Sequence, residues 1–334
     1  MPFRIRFSLA LLLALVLVLL VGPLILPIRA LPDTVSERSL AGSDSQFVGV
    51  GQLDMHYLEQ GLPGVEAAAP LVMVHGFALN ALSWRDVQPG LADVAHSFAL
   101  DLPGFGLTSR PLAGSWPAGQ SPYAPRQNSV QVLDFMTAVG VEEAILVGHS
   151  SGATVALEAA LREPGRVRGL VLVGPALYST TDHRPAFARM LMNTPHLARV
   201  GPLLMRQIGG APGESLILAN WSDPQLADER VLAAHQLNYR AHGWDRALWE
   251  VSRASHEPDF LDRLSDVGVP VLVVSGSEDT IVPTADAERL AAELPDATFA
   301  LMEGCGHVVH EECASHFVEL VSSWLADVRL LSVE

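Results

Sequence analysis

The sequence predicts an α/β fold with a mostly parallel central sheet, helices on both faces and a helical insertion. Three observations support this prediction. Short, almost uninterrupted apolar runs recur along the 334-residue chain, as in parallel strands that are covered on both faces. Helix-length segments separate several of these runs, which is the pattern of βαβ units. One long stretch, residues 177–265, contains helical patterns but no convincing strand.

The strand prediction starts with residues 47–60, where Gly49 and Gly51 punctuate a pattern typical of a β-hairpin. Right-handed crossover connections would then place the following helices on the two faces of the sheet. The predicted strands after the hairpin cover residues 71–74, 98–100, 145–147, 170–173, 271–274 and 299–302, and the predicted helices include residues 129–139, 153–162 and 285–294.

Residues 177–265, called the insertion below, are predicted to form a helical lid over residues 46–176 and 266–334, which form the core domain. The insertion is rich in methionine, leucine and tryptophan. Methionine adapts its shape to varied apolar ligands, so part of the insertion is expected to contact substrate. The alternative is that these side chains only pack among themselves. The candidate substrate contacts are Phe77, His149, Met192, Trp221 and Trp244.

Residues 1–30 are predicted to form a single-pass membrane anchor. Residues 7–28, called the apolar run below, contain no charged side chain, and about 20 apolar residues cross a bilayer. A cleaved secretory signal is the alternative, but its apolar region is usually shorter, and Ile28-Arg29-Ala30 does not match a small-residue cleavage site. The short N-terminal tail favours a cytoplasmic N-terminus and an extracytoplasmic domain. Residues 31–45 are predicted to be a linker.

Charge and cysteine content exclude several classes of function. The formal net charge of −16 disfavours nucleic acid as a partner, because phosphate backbones would be repelled. All 21 basic residues are arginine, which rules out catalytic lysine chemistry. The two cysteines, Cys305 and Cys313, form no pattern with metal-ligand spacing, so no metal is expected. We expect buried free thiols, with a disulfide as the alternative in an oxidising compartment.

A short polar motif, Gly148-His149-Ser150-Ser151-Gly152, lies between an apolar run and a helical pattern. In this G-x-S-x-G context the central serine occupies a sharp strand-to-helix turn that exposes its hydroxyl at the sheet edge. We therefore assign Ser150 as the nucleophile. Ser151 starts the helix, so its backbone N–H is available to a developing oxyanion.

A serine hydroxyl needs a base to accept its proton and a carboxylate to orient that base. We assign His307 as the base, because it lies on a glycine-flanked loop after the last predicted strand. His310 is the alternative, although it is more typical of the following helix. Asp279 is assigned as the carboxylate, since it lies just past the strand that ends at Val274. The adjacent Glu278 would point away if Asp279 points in.

A tetrahedral oxyanion needs a second hydrogen-bond donor. The strand 71–74 ends at His75-Gly76, and the backbone N–H of Phe77 then supplies this donor. His75 itself is interpreted as a residue that braces loops. Asp101, in the loop after strand 98–100, is interpreted as structural.

Together these motifs resemble the α/β-hydrolase superfamily, in the lid-bearing group that includes esterases, lipases and C–C bond hydrolases. The resemblance covers about residues 46–328 and implies the nucleophile–acid–base order Ser150, Asp279, His307, with no cofactor. The matching segments are His75-Gly76-Phe77, Asp101-Leu102-Pro103-Gly104-Phe105-Gly106, Gly148 to Gly152, Gly276 with Asp279 and Val282-Pro283, and Gly306-His307.

The leading expectation is a membrane-anchored serine hydrolase that cleaves carboxylic esters with an apolar moiety. C–C bond hydrolysis, acyl transfer, perhydrolysis and a non-catalytic ligand-binding role are the alternatives. Two departures from the family pattern bear on them. Ala78-Leu79-Asn80 replaces the glycine-rich run of C–C bond hydrolases, and Glu311-Glu312-Cys313 lacks the proline that often follows the catalytic histidine. Serine at position 150 argues against dehalogenases and epoxide hydrolases of this fold, which use aspartate.

Overall fold

A computed structural model of the chain describes residues 27–61, 69–112, 116, 120–178, 185–254 and 258–328, together with residues 18, 21, 22, 24 and 25. Most of the apolar run that predicts the anchor lies outside these residues. Within the described part of the chain, none of the helices combines the length and apolar character that a membrane crossing needs.

Eight strands form one sheet, in the order β1-β2-β4-β3-β5-β6-β7-β8. Strands β1 and β2 form the predicted hairpin, β2 pairs antiparallel with β4, and all the other pairs are parallel. The predicted fold class is therefore confirmed. The strands are β1 Ser45–Val50, β2 Leu53–Gln60, β3 Leu71–Val74, β4 Ser97–Leu100, β5 Ala144–His149, β6 Val167–Val173, β7 Val271–Gly276 and β8 Ala297–Met302.

The central strands are buried on both faces, which explains their unbroken apolar sequences. Along β3, Val72 and Val74 point into one core cluster, whereas Leu71 and Met73 point into the other. Successive strand side chains alternate between faces, so a strand covered on both sides must be apolar at every position. Parallel pairing then aligns the carboxyl ends of β3 to β8 at one edge.

Helices occupy the segments that the sequence pattern predicted, with shifts of a few residues at their ends. The described part of the chain contains α1 Gln88–Leu91, α2 Pro125–Ala138, α3 Ser151–Arg162, α4 Ala186–Met192, α5 Pro195–Met205, α6 Ala211–Leu218, α7 Glu229–Arg240, α8 Trp244–Ala254, α9 Thr284–Glu293, α10 Val309–Glu312 and α11 Ala314–Asp327.

Helices α4 to α8 lie between β6 and β7, and the described residues of the insertion contain no β-strand. The helical patterns of the sequence over residues 187–208 and 231–254 are each divided in two. Asn193 and Thr194 separate α4 from α5, and the Thr194 side chain accepts a hydrogen bond from the Leu197 N–H. Gly243, with a positive φ of 71°, separates α7 from α8.

The stretch 31–45, predicted as a linker, is tied to the insertion. The Val35 N–H donates to the Arg240 carbonyl at 2.9 Å, and the Val35 carbonyl accepts from the His242 N–H at 2.9 Å. A short 3₁₀ helix, Glu37–Leu40, follows, and the first strand begins at Ser45. The chain that leads out of the apolar run is therefore held against α7 and α8.

Asp101 organises the loops at the carboxyl edge of the sheet. Its carboxylate accepts hydrogen bonds from the N–H groups of Ala81 and Leu107 at 2.6 Å and from His56 Nδ1 at 2.7 Å. Burial raises the pKa of Asp101, but the neighbouring His56 and His75 and the Ala81 N–H outweigh burial and lower it to about 2. The interpretation of Asp101 as structural agrees with these contacts.

We expect Asp101→Asn to destabilise the fold by about 2 kcal/mol at neutral pH, since the pKa of Asp101 lies near 2 rather than 3.8. A lowered pKa stabilises the folded state above the ordinary carboxyl pKa, and this stabilisation disappears as the pH falls through about 2. The difference in the free energy of unfolding between wild type and variant should therefore become smaller as the pH falls. Urea unfolding between pH 6 and pH 2 measures it, with the exposed Asp93→Asn as control. A gap that stays constant with pH would contradict this account.

Candidate active site

Ser150 occupies a strained turn between β5 and α3. Its backbone has φ 53° and ψ −117°, in a region that residues other than glycine rarely adopt. The Ser150 N–H donates to the Val173 carbonyl on β6 at 2.8 Å, which holds the turn at the sheet edge. A β carbon at Gly152 would overlap the carbonyl oxygens of Val74 and His75, so only glycine allows α3 to approach β3 this closely. The strain therefore coincides with the residue that the motif assigns as nucleophile.

His307 and Asp279 meet at the same edge. His307 Nδ1 lies 2.8 Å from Asp279 Oδ2, and both side chains are almost completely buried. The other carboxylate oxygen of Asp279 accepts the N–H groups of Ile281 and Val282 at 2.9 and 2.8 Å. Asp279 is thus fixed in orientation, and a neutral His307 that donates from Nδ1 presents Nε2 as a proton acceptor.

The loop that carries His307 is held by the insertion. The Asn220 carbonyl accepts the His307 N–H at 2.8 Å, and the Glu312 carboxylate accepts the N–H groups of Gly306 at 2.7 Å and Ser222 at 3.1 Å. These contacts join residues 220–222 to the loop that carries His307. No feature of the sequence indicated this coupling.

Cys305 and Cys313 form a disulfide that spans the loop of His307. The expectation of two free thiols is therefore wrong, and the alternative is correct. The two cysteines are separated by eight positions, and His307 lies between them. The disulfide closes the loop onto the start of α11, which adds a covalent restraint to the hydrogen bonds of Glu312.

Two backbone N–H groups are available near Ser150. Within the described chain, the amides of Phe77 and Ser151 donate no hydrogen bond to another residue. Ala78, the residue after Phe77, has a positive φ of 62°, so the chain turns sharply there. A pair of unpartnered donors beside a hydroxyl is the arrangement that can stabilise an oxyanion.

His75 braces two loops, in agreement with its interpretation from the sequence. Its Nδ1 donates to the Gly76 carbonyl at 2.7 Å, and its Nε2 accepts the Leu102 N–H at 3.0 Å. Burial lowers the pKa of His75, which favours the neutral ring that this pattern requires. The loop that carries Phe77 is thereby fixed to the loop after β4.

His149 lines the cavity and also contacts the backbone of His307. Its Nε2 donates to the His307 carbonyl at 3.1 Å. Burial, followed by the nearby imidazoles of His310 and His307, holds the pKa of His149 well below its usual range. His310 packs against His149 and Trp84, at ring-centroid distances of 4.5 and 4.2 Å, and its ring nitrogens make no hydrogen bond. His310 is thus packed within the core, and His307 is the histidine at the site.

A cavity of about 270 Å³ opens beside Ser150 and His307. Apart from the two histidines, Ser150 and Asn220, its walls are formed mostly by apolar side chains of the insertion and of the loop after β3. The lining residues are Phe77, Ala78, Leu79, His149, Ser150, Ile208, Gly213, Leu216, Ile217, Ala219, Asn220, Tyr239, Leu248, Ile281 and His307.

Three of the five candidate substrate contacts lie outside this cavity. Trp221 is buried in a small cluster with Leu79 and Val308, Trp244 packs edge-on against Tyr239 at 4.9 Å, and Met192 ends helix α4. Aromatic and methionine content alone did not distinguish packing of the insertion from contact with substrate. Of the five candidates, Phe77 and His149 line the cavity, together with Ile208, Leu216, Ile217, Tyr239, Leu248 and Ile281.

The described residues contain no group of three or more histidine, cysteine or carboxylate side chains arranged to hold a metal ion.

The sequence model of a protein family, described as the α/β hydrolase fold, matches residues 69–314 of this chain. The chain belongs to the α/β-hydrolase family. The fold and the family assignment thus agree with the resemblance seen in the sequence.

Curated relatives of this α/β hydrolase differ in activity. The chain is 30% identical over 290 residues to abhydrolase domain-containing protein abhd-5.2 of Caenorhabditis elegans, and the match covers 79% of this chain but only 61% of that protein. It is 29% identical to 2-hydroxymuconate semialdehyde hydrolase of Pseudomonas sp. strain CF600, over 80% of this chain and 90% of that one.

Solved structures show the same fold. The crystal structure of a membrane phospholipase A, described as a bacterial virulence factor, superposes with a TM-score of 0.65 and 24% identity. The superposition covers 98% of this chain and 99% of that one.

Proposed function

We propose that this α/β hydrolase cleaves carboxylic esters with an apolar moiety through an acyl-enzyme on Ser150. The observation that carries the proposal is the position of Ser150. It lies on a strained turn at an apolar cavity that also contains His307, whose imidazole is paired with the buried Asp279. Strained backbone is costly and concentrates at functional sites.

The proposed reaction has two steps. His307 Nε2 takes the proton of the Ser150 hydroxyl while the oxygen attacks the ester carbonyl. The N–H groups of Phe77 and Ser151 stabilise the oxyanion, and the alcohol leaves with the proton from His307. Water then attacks the acyl-enzyme by the same route, which releases the acid and regenerates Ser150. Asp279 orients His307 and stabilises the imidazolium.

The lining of the cavity supports an apolar acyl or alcohol group as substrate. Ile208, Leu216, Ile217 and Leu248 line it, and the described lining residues include no arginine or carboxylate. Burial of methylene groups against such walls favours binding. The apolar walls therefore select for hydrocarbon rather than for charge.

C–C bond hydrolysis is the second candidate, because a relative of 29% identity is named a 2-hydroxymuconate semialdehyde hydrolase. The lining of the cavity favours the ester reaction. Other relatives in that group are named for acid substrates, such as a dienoic acid, and an acid would be favoured by a cation in the cavity. The described lining residues include no arginine.

We further propose that the apolar run anchors the enzyme in a membrane, with the catalytic domain on the extracytoplasmic side. The uncharged length of residues 7–28 supports the anchor, and the disulfide supports an oxidising compartment. The structural neighbour that covers 98% of this chain is itself described as a membrane phospholipase A. An anchor of this kind would keep the cavity near lipophilic esters.

The anchor predicts that the full-length enzyme sediments with membranes and resists carbonate and high-salt extraction, because only an integral segment survives both treatments. Fractionation followed by N-terminal sequencing measures this. Recovery of a soluble enzyme whose N-terminus lies near residue 31 would show instead that the segment is a cleaved signal.

Ser150→Ala should abolish turnover, with a loss in kcat on the order of 10⁵-fold, because no other group can form the acyl-enzyme. Ser151→Ala is the matched control. It keeps the backbone amide, so its loss should stay well below the roughly 10²–10³-fold that follows removal of an oxyanion donor. Steady-state kinetics on p-nitrophenyl esters and labelling by a fluorophosphonate compare the two. An active Ser150→Ala variant would contradict the assignment of Ser150 as the nucleophile.

The substrate class predicts a graded dependence on acyl length. Each methylene buried in the cavity should contribute up to ~0.8 kcal/mol, so kcat/KM should rise from acetyl towards medium-chain p-nitrophenyl esters. Leu216→Trp narrows the cavity and should move the optimum to shorter chains. Leu226→Trp is the control, since Leu226 is equally exposed but lies outside the cavity. A strict acetyl preference would contradict the apolar-substrate proposal.

A further inference from the structure

A second cavity lies where the chain leaves the apolar run. It has a volume of about 550 Å³ and is formed by residues 28–34, helix α5 and the chain around the start of α8. None of its lining residues contributes to the cavity at Ser150. It is therefore a separate site with its own chemistry.

Arginine dominates the walls of this second cavity. Arg29, Arg199, Arg206 and Arg246 line it, and Asp245 is the single carboxylate among the described lining residues. This composition is unusual in a chain with 37 acidic and 21 basic residues. A concave surface of guanidinium groups favours an anion, and above all a phosphate that can accept paired hydrogen bonds.

Not all of this positive charge is neutralised within the protein. Arg206 Nε donates to Asp245 at 2.7 Å, and Arg206 Nη2 donates to the Arg29 carbonyl at 2.8 Å. The side chains of Arg29 and Arg246, by contrast, make no ion pair or hydrogen bond with any residue of the described chain. Two guanidinium groups at the cavity thus remain available to a ligand.

The position of the cavity indicates where that anion comes from. Ile28 and Arg29 form part of its wall, and Ile28 is the last residue of the apolar run. If the run crosses a bilayer, the cavity lies at the level of the lipid headgroups, where phosphate is abundant. This step rests on the anchor proposed above.

Exposed apolar side chains lie on α4 and on α5, the helix that contributes Arg199 to the cavity. On α4, Phe187, Met190 and Leu191 are 66, 70 and 50% exposed. Leu203 and Leu204 are exposed on α5, the helix that also carries Arg199 and Arg206. An apolar surface flanked by arginine is the pattern of a segment that lies in a membrane interface.

We propose that the arginine-lined cavity binds the phosphate of an anionic phospholipid headgroup, through Arg29 and Arg246, and so fixes the catalytic domain against the membrane. Helices α4 and α5 then contact the boundary between the lipid headgroups and the acyl chains of the bilayer. Leu216 on α6 and Ile208, which follows α5, line the catalytic cavity, so this placement directs that cavity towards the bilayer surface.

The test uses the full-length chain in lipid nanodiscs. Hydrogen–deuterium exchange of residues 196–206 and 242–247 is compared between discs of zwitterionic phosphatidylcholine, whose ammonium group balances its phosphate, and discs that contain the net-anionic phosphatidylglycerol. Two variants accompany the wild type: Arg29→Gln with Arg246→Gln, and the control Arg126→Gln with Arg168→Gln. The control removes two exposed arginines that do not line the cavity. A third arm adds inorganic phosphate to the phosphatidylcholine discs.

Slower exchange in phosphatidylglycerol discs, retained in the control and lost in Arg29→Gln with Arg246→Gln, supports the proposal. At about fivefold per arginine near an anionic surface, the double variant should lose roughly 30-fold in apparent affinity. Equal exchange in both kinds of disc would overturn the proposal, as would the same slowing by inorganic phosphate.

The same experiment separates this proposal from the anchor. If the chain fails to enter phosphatidylcholine discs but binds phosphatidylglycerol discs through Arg29 and Arg246, the anchor fails and the headgroup site stands. If it enters both and shows no dependence on phosphatidylglycerol, the anchor stands and the headgroup site is overturned. Failure to associate with either kind of disc overturns both.

Discussion

The close contact between α3 and the end of β3 is the constraint on which the site depends. Gly152 has carbonyl oxygens where any other residue would have a β carbon, so the helix starts directly against the neighbouring strand. Ser150 must then turn through a positive φ, and the Val173 carbonyl on β6 holds its N–H in that position. The sheet therefore stabilises the strained turn at Ser150, because the strands on both sides of β5 are in contact with it.

The insertion contributes cavity-lining side chains and also contacts the loop that carries His307. Through the Asn220 carbonyl and the N–H of Ser222, it contacts the loop that carries His307, and the disulfide closes that loop from the other side. A shift of the insertion would consequently alter both the apolar wall and the base. Residues of the insertion thus contribute both to the cavity wall and to the position of His307. The insertion also carries three arginines of the second cavity, Arg199, Arg206 and Arg246.

Most of the fold could be predicted from the sequence by itself. Unbroken apolar runs such as Leu71–Val74 indicated a sheet covered on both faces, and the G-x-S-x-G motif around Ser150 located the strained turn. Both are local signals, because burial on two faces and a glycine-bounded turn each leave a mark on a few consecutive residues. The candidate residues Asp279 and His307 were likewise found from their places after strands, and the structure brings them within hydrogen-bond distance.

Features that depend on contacts between residues distant in sequence could be seen only in the tertiary structure. Trp221 and Trp244 have the composition of a substrate surface but are buried in packing, whereas Ile208 and Leu216 face the cavity. The disulfide could be judged only when Cys305 and Cys313 were placed in space. The second cavity unites Arg29 with Arg246, more than two hundred positions away. Composition records which side chains are present, but contacts across such separations follow from the packing of helices onto the sheet.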